Sequence, residues 1–246
     1  MNLALEGRRA AVPAATSGLG LAVASALAAE GAAVAICGRE LGKAESAAAG
    51  IGAAPFAADV STAAGAREFL DAAEKELGGI DILILNGPGP PPGTFATTAA
   101  DAYPAALEVG ILPGVEMCRL AVPGMRERGW GRVVAITSVG VRQPIANLIL
   151  SNTARSGLTA FLKTLAREVA ADGVTVNSLQ PGLHGTKRLE AVYGDRLDVA
   201  VEEIPARKLG DVESFGQVAA FLCSDPAAYL TGAAIPIDGG LDAGLF

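Results

Sequence analysis

Ser151 and Arg155 stand four residues apart in SNTARSGLTAFLKTLAREVAADG (151–173), a stretch whose apolar residues recur at helical spacing. That spacing stacks a hydroxyl and a guanidinium on one helix face, one turn apart. No strong base adjoins Ser151 to make it a nucleophile. Arg155 keeps its charge at any working pH and forks onto paired oxygens, but it cannot relay a proton as lysine can. The pair therefore suits gripping a ligand better than moving a proton, and Ser151 also reads as a serine that caps the helix N-terminus. Ser138 closes the apolar run GRVVAITS (131–138) with another hydroxyl. The single histidine, His184, has an ordinary pKa of about 6.5 that suits acid–base work; otherwise it reads as an exposed loop residue. Tyr103 and Tyr193 offer phenols but read first as packing or surface residues.

A different chemistry gathers in VPAATSGLG (12–20). Gly18 and Gly20 fall where a strand turns into a helix, so bare backbone lets a phosphate approach amide groups and the positive helix end. Tight turns use glycine for other reasons too, so the pair gains its meaning from its place in the chain.

The elements that must position these residues are legible as alternating runs. Strand-like segments at 8–13, 32–37, 54–60, 80–85, 131–138, 173–179 and 232–238 alternate with helical stretches. One of these runs from beyond a Gly/Pro loop to about Arg128, and the last lies near 213–224. The strands lack polar alternation, as expected for a parallel sheet covered on both faces. The pattern predicts an α/β fold, a doubly wound parallel sheet of about seven strands in a single Rossmann-type domain spanning 1–246.

Composition narrows the function classes. With 51% hydrophobic and 18% charged residues, the 246-residue chain can build a large core and shows no disorder signature. Its net charge of −7 and lack of a basic cluster argue against nucleic-acid binding. Cys37, Cys118 and Cys223 lie far apart and odd in number, which fits reduced thiols better than disulfides or a metal site. No apolar run approaches the roughly 18 residues of a membrane span, and MNLALEGRRAAV lacks a secretory apolar segment, so a cytoplasmic location is expected.

These segments together resemble the short-chain dehydrogenase/reductase family, in its branch similar to 3-oxoacyl-(acyl carrier protein) reductases. The family's Thr-Gly-x-x-x-Gly-x-Gly loop is met here by Pro13 and Ala14 at its first two positions and then by Gly18 and Gly20. The alanine adds a methyl where backbone passes close to phosphate. The resemblance makes Ala14, Thr16, Ser17, Gly18, Leu19 and Gly20 the candidate phosphate loop. Arg39 after the second strand implies NADP(H) in preference to NAD(H), because an arginine there accommodates a 2′-phosphate. Asp59 and Val60 match the adenine-contacting pair. Asn86 and Gly87 match the segment after the fourth strand, and the rigid GPPPG (89–93) borders the nicotinamide pocket. Pro181, Gly182 and Thr186 match the carboxamide segment, and YLTGAAIPIDGG (229–240) matches the C-terminal strand and turn.

The same resemblance implies a hydride-transferring oxidoreductase acting on a carbonyl or alcohol, with a small-molecule substrate, no metal, and a flap at about 186–205 that sets specificity. The family's Asn–Ser–Tyr–Lys tetrad falls on Gly110, Ser138, Ser151 and Arg155, so only the serine at 138 is retained. Ser138, Ser151 and Arg155 are the candidate catalytic residues, with Arg155 also holding a cofactor ribose; His184 would lie near the nicotinamide. Three changed positions open a second reading, a nucleotide-binding homologue without turnover that acts as a sensor or oligomer partner. Restoring asparagine, tyrosine and lysine at 110, 151 and 155 is expected to create or raise reductase activity. The helices near 105–128 and 152–171 resemble the family's dimer interface, and the tail a second contact, implying a homotetramer.

Overall fold

Strands with no polar face must be covered on both sides. ILIL (Ile82–Leu85) and GRVVAI (Gly131–Ile136) are buried at every position. They are β4 and β5 of a seven-stranded sheet in the computed structural model, which describes residues 1–187, 189, 193, 194 and 197–245. The other strands are β1 (Arg9–Val12), β2 (Ala33–Gly38), β3 (Ala54–Ala57), β6 (Val174–Pro181) and β7 (Ala234–Ile237). All pair in parallel, in the order β3-β2-β1-β4-β5-β6-β7. The expected doubly wound sheet is borne out.

Helices α1 (Gly18–Ala29), α2 (Leu41–Ala49) and α8 (Val212–Leu222) cover one face. Val23, Leu27, Phe215 and Ala219 pack there against Val12, Ile36 and Ile84. Helices α3 (Ala63–Leu77), α5 (Leu112–Glu127) and α6 (Ile149–Val169) cover the other, where Phe69, Met117 and Leu162 meet Leu83, Val133 and Val176. A short helix α7 spans Leu197–Glu202. The three cysteines are free and buried, and burial pushes each thiol up to about 12.

The long helical stretch expected up to Arg128 is in fact two helices. Helix α4 (Ala102–Gly110) ends at Ile111 (φ −127°, ψ −53°), and α5 begins at Leu112. Pro113 in the first turn of α5 explains the break, since its ring has no N–H to donate and collides with the carbonyl of a continuing helix.

The strand order reverses between β1 and β4, so the loops leaving these two strands diverge and open a crevice at their C-terminal ends. The candidate cofactor residues lie on the loops and helix starts at that edge, with Ser151 and Arg155 in the first two turns of α6 and Gly110 at the end of α4. Of the flap, residues 188, 190–192, 195 and 196 lie outside the described residues.

Candidate active site

The first wall of the crevice is the turn from β1 into α1. Ser17 occupies the N-cap position in extended conformation, and no side chain caps the helix. The first amides of α1 are therefore left for a ligand, as a pyrophosphate site requires. Gly18 sits at φ +61°, and a Cβ built there would lie 3.7 Å from Thr186 Cγ2, so the loop after β6 faces this turn. Gly20 leaves room for Asn86, whose Nδ2 would lie 2.5 Å from a Cβ at that position. Asn86 Nδ2 donates to Pro13 O and Ala14 O, each at 3.1 Å, and so ties the end of β4 to the loop after β1. Ala14 is held at φ +49°. Thr16 is accommodated by Gly38, where a Cβ would lie 2.5 Å from Thr16 Cγ2.

Arg39 is exposed just past β2. The neighbouring Glu40 pairs at 2.6 Å with Lys43, so the carboxylate beside Arg39 is already engaged. Asp59, on the next loop, has its carboxyl held below the usual range by hydrogen bonds from Ser61 and, secondarily, by the charge of Arg39. Val60 is buried and Gly87 half-buried where β4 ends.

Beyond β5 the chain turns at half-buried Ser138, whose Oγ accepts from Gly140 N at 3.0 Å and caps a single 3₁₀ turn (Val139–Val141). Its hydroxyl proton remains to be donated elsewhere. Arg155 Nη1 donates to Ile136 O (2.9 Å) and Thr137 O (3.0 Å), which locks α6 onto the end of β5 beside Ser138. Ser151 is buried at 9% exposure in the first turn of α6. It is not the cap: the N-cap position belongs to Leu148, and Ile149 N donates to Gly93 O at 3.1 Å. Gly93 N donates in turn to Asn147 O at 2.8 Å. The proline-rich loop thus satisfies the helix start by backbone, a role its sequence did not announce.

Gly110, at the end of α4, lies against α6. A Cβ there would come 2.6 Å from Ala154 Cβ, closer than two such atoms can approach. A cavity of about 40 Å³ remains beside it, with Asn86, Gly110 and Arg155 among apolar walls including Pro88, Pro90 and Leu158. That volume holds one or two waters.

His184 proves to be neither exposed nor placed among the hydroxyls. It is 4% exposed, stacks edge-on against Phe215 at 5.1 Å between centroids, and has Nδ1 3.3 Å from Gly182 O. Phe215 belongs to the α1/α8 layer, across the sheet from α6. Desolvation lowers its pKa against smaller opposing contributions from Gly182 O and Asp211. Gly182 itself touches the β7 turn, where a Cβ would lie 2.8 Å from Asp238 Cα. Tyr103 is half-buried on α4; Tyr193 is half-buried with most of its chain neighbours outside the described residues.

A sequence model of a family described as enoyl-(acyl carrier protein) reductase matches residues 14–242. The chain belongs to the short-chain dehydrogenase/reductase family. Among its relatives is Dehydrogenase/reductase SDR family member 4 of Sus scrofa, 32% identical over 96% of this chain and 88% of that one. Acetoacetyl-CoA reductase of Cupriavidus necator is 33% identical over 71% of each chain. Of solved structures, L-sorbose reductase from Gluconobacter frateurii, complexed with NADPH and L-sorbose, superposes with a TM-score of 0.91 at 30% identity, covering 100% of both chains. The loop motifs and the fold agree on this family.

Proposed function

We propose that the protein is a nicotinamide-dinucleotide-dependent oxidoreductase acting on a small carbonyl or alcohol substrate of 3-oxoacyl type, with NADP(H) preferred. The carrying observation is the convergence, at one sheet edge, of the uncapped α1 N-terminus with Ser138, Ser151 and Arg155. The named activities of the relatives support the reaction class. The dinucleotide, when bound, supplies or accepts the hydride.

The chain's own residues fit that group. The α1 amides with Gly18 and Gly20 receive the phosphates, with Ala14, Thr16, Ser17 and Leu19 shaping the turn. Arg39 takes a 2′-phosphate, and Asp59 and Val60 flank the adenine. Asn86 holds the phosphate loop in place, with Gly87 beside it, while Pro181, Gly182 and Thr186 border the nicotinamide. Ser138 Oγ–H donates a hydrogen bond to the substrate oxygen and so orients it, keeping its proton. Arg155 supplies a fixed positive charge at the end of β5 and stabilises oxygen that gains negative charge. Neither serine has a phenol's acidity, so a water from the small cavity beside Gly110 and Arg155 protonates that oxygen, and the hydroxide formed is neutralised by exchange with solvent. We expect the protein to assemble as a homotetramer in the cytoplasm.

The test is direct. Calorimetry should show NADPH binding, and a panel of 3-oxoacyl thioesters, β-ketoesters and ketoses should reveal oxidation of NADPH as a loss of its near-ultraviolet absorbance. Binding without oxidation of NADPH by any member of the panel would overturn the catalytic reading.

A further inference from the structure

A cavity of about 460 Å³ opens at the other edge of the sheet, where β1, β4 and β5 begin. Its walls include Glu6, Arg8, Arg9, Asp81, Arg128 and Trp130. Asp81 is fully engaged: Arg9 reaches it through Nε (2.7 Å) and Nη2 (2.6 Å), and Arg128 Nε adds a third bond at 3.1 Å. Arg9 Nη1 also donates to Gly78 O at 2.6 Å, and Arg128 Nη2 donates to Ile80 O. These bonds pin two guanidinium groups in place.

Arg8 is held differently. Its guanidinium carbon lies 3.7 Å from the centre of the Trp130 ring, which is itself anchored by Nε1 donating to Asp225 Oδ1 at 2.9 Å. Buried Arg132 also packs on that ring, at 4.2 Å. Arg8 is thus laid flat by a cation–π contact, and its N–H groups have no carboxylate or carbonyl acceptor among the described residues. Three guanidinium groups face two carboxylates, leaving the lining net positive in a chain of net charge −7.

We propose that this cleft binds a small oligoanion of the phosphate or pyrophosphate type, at a site separate from the dinucleotide crevice. Preset guanidinium forks match phosphate oxygens. The volume falls at the low end of small-molecule pockets, enough for a diphosphate group. Trp130 is already packed by Arg8 and Arg132, so recognition is by charge and hydrogen bonding, without stacking of an aromatic ring. Arg9, directly after Arg8, opens the strand whose far end leads into Pro13 and Ala14, so the two sites lie at opposite ends of β1.

Trp130 is the only tryptophan of the chain, and its fluorescence therefore reports on this cleft alone. The probe is inorganic pyrophosphate, titrated at constant ionic strength with sodium chloride, in the absence and presence of saturating NADP⁺, with calorimetry in parallel. We expect a saturable fluorescence change that NADP⁺ leaves intact, and weaker binding of inorganic phosphate. Arg8→Gln, which breaks no ion pair, should weaken binding about tenfold, the loss expected for one charge-assisted hydrogen bond; Arg128→Gln should do likewise if it folds, as circular dichroism will show. No saturable change, a change abolished by NADP⁺, or equal calorimetric affinity in Arg8→Gln would each overturn the proposal.

Discussion

Ala14 sits at φ +49°, a conformation that costs an L-residue roughly 1–2 kcal/mol because its Cβ crowds the neighbouring carbonyl. The surroundings enforce it. Asn86 draws the carbonyls of Pro13 and Ala14 to one point, and Gly20 admits the amide that does so. The family's glycine would adopt the same angle freely. Ala14→Gly should therefore raise stability by about 1 kcal/mol, partly offset by the freer unfolded chain, and should tighten NADPH by removing a methyl from the phosphate approach. Urea midpoints and calorimetric titration measure the two effects separately. An unchanged midpoint would mean that the loop carries no strain at this residue. The contrast with Arg155 is instructive. There the residue differs from the family's lysine but is bonded to two carbonyls of the β5 end, so the difference is built into the structure.

Elements explain why Gly110 and His184 are as they are. Helix α4 lies so close to α6 that any side chain at 110 meets Ala154. Restoring the family asparagine alone is thus an overpacking change, expected to cost roughly 1–3 kcal/mol, and the threefold reversion expected to revive reductase chemistry must first be given room. Ala154→Gly supplies it at a helix-propensity cost of about 1 kcal/mol. In a double-mutant cycle the pair should be favourably coupled by about 1 kcal/mol or more; simple additivity would show that α4 moves aside. His184 links the loop after β6 to α8 through Phe215 and crowds Gly210, where a Cβ would lie 2.6 Å from its ring. Its lowered pKa means the folded state resists a proton that the unfolded state accepts. This contribution to stability is whole above about pH 6.5 and falls as the pH drops from there to the folded value. Because His184 is the only histidine, His184→Gln should flatten the urea-midpoint difference between pH 7.5 and 5.5 relative to wild type. An identical difference in both proteins would remove the histidine from the pH dependence.

At the scale of the whole molecule, what the sequence disclosed and what it hid follow one rule. ILIL and GRVVAI announce buried parallel strands because every residue of each run faces a covering helix, and that is a local pattern. Gly18 and Gly20 announce the tight turn from β1 into α1, the proposed phosphate site, because the turn is made within a few residues. By contrast, the Gly110–Ala154 contact, the packing of His184 on Phe215, and the capping of α6 by Gly93 join residues distant in the chain, and neither partner carries a local mark of the other. Pro113 was a readable helix breaker, but its effect was masked by the apolar stripe running through both α4 and α5. The sheet brings the loops after β1, β2, β4 and β6 to a single edge, so ligand contacts with all of them stabilise the fold jointly. A dinucleotide at a hundred times its Kd should add about 2.7 kcal/mol, a rise in Tm of roughly 5–10 °C for a chain of this size. In the proposed cofactor mode Arg39, exposed on the β2 loop with Glu40 already paired to Lys43, would read the 2′-phosphate. NADPH should therefore shift Tm more than NADH at equal concentration. Arg39→Ala should weaken NADPH about tenfold or more, the loss of a charged hydrogen bond, and leave NADH unchanged, so that the two thermal shifts converge. Equal shifts in the wild-type protein would end the case for NADP(H) preference, and a parallel loss of both cofactors in the variant would make Arg39 a support of the loop instead of a reader of the phosphate.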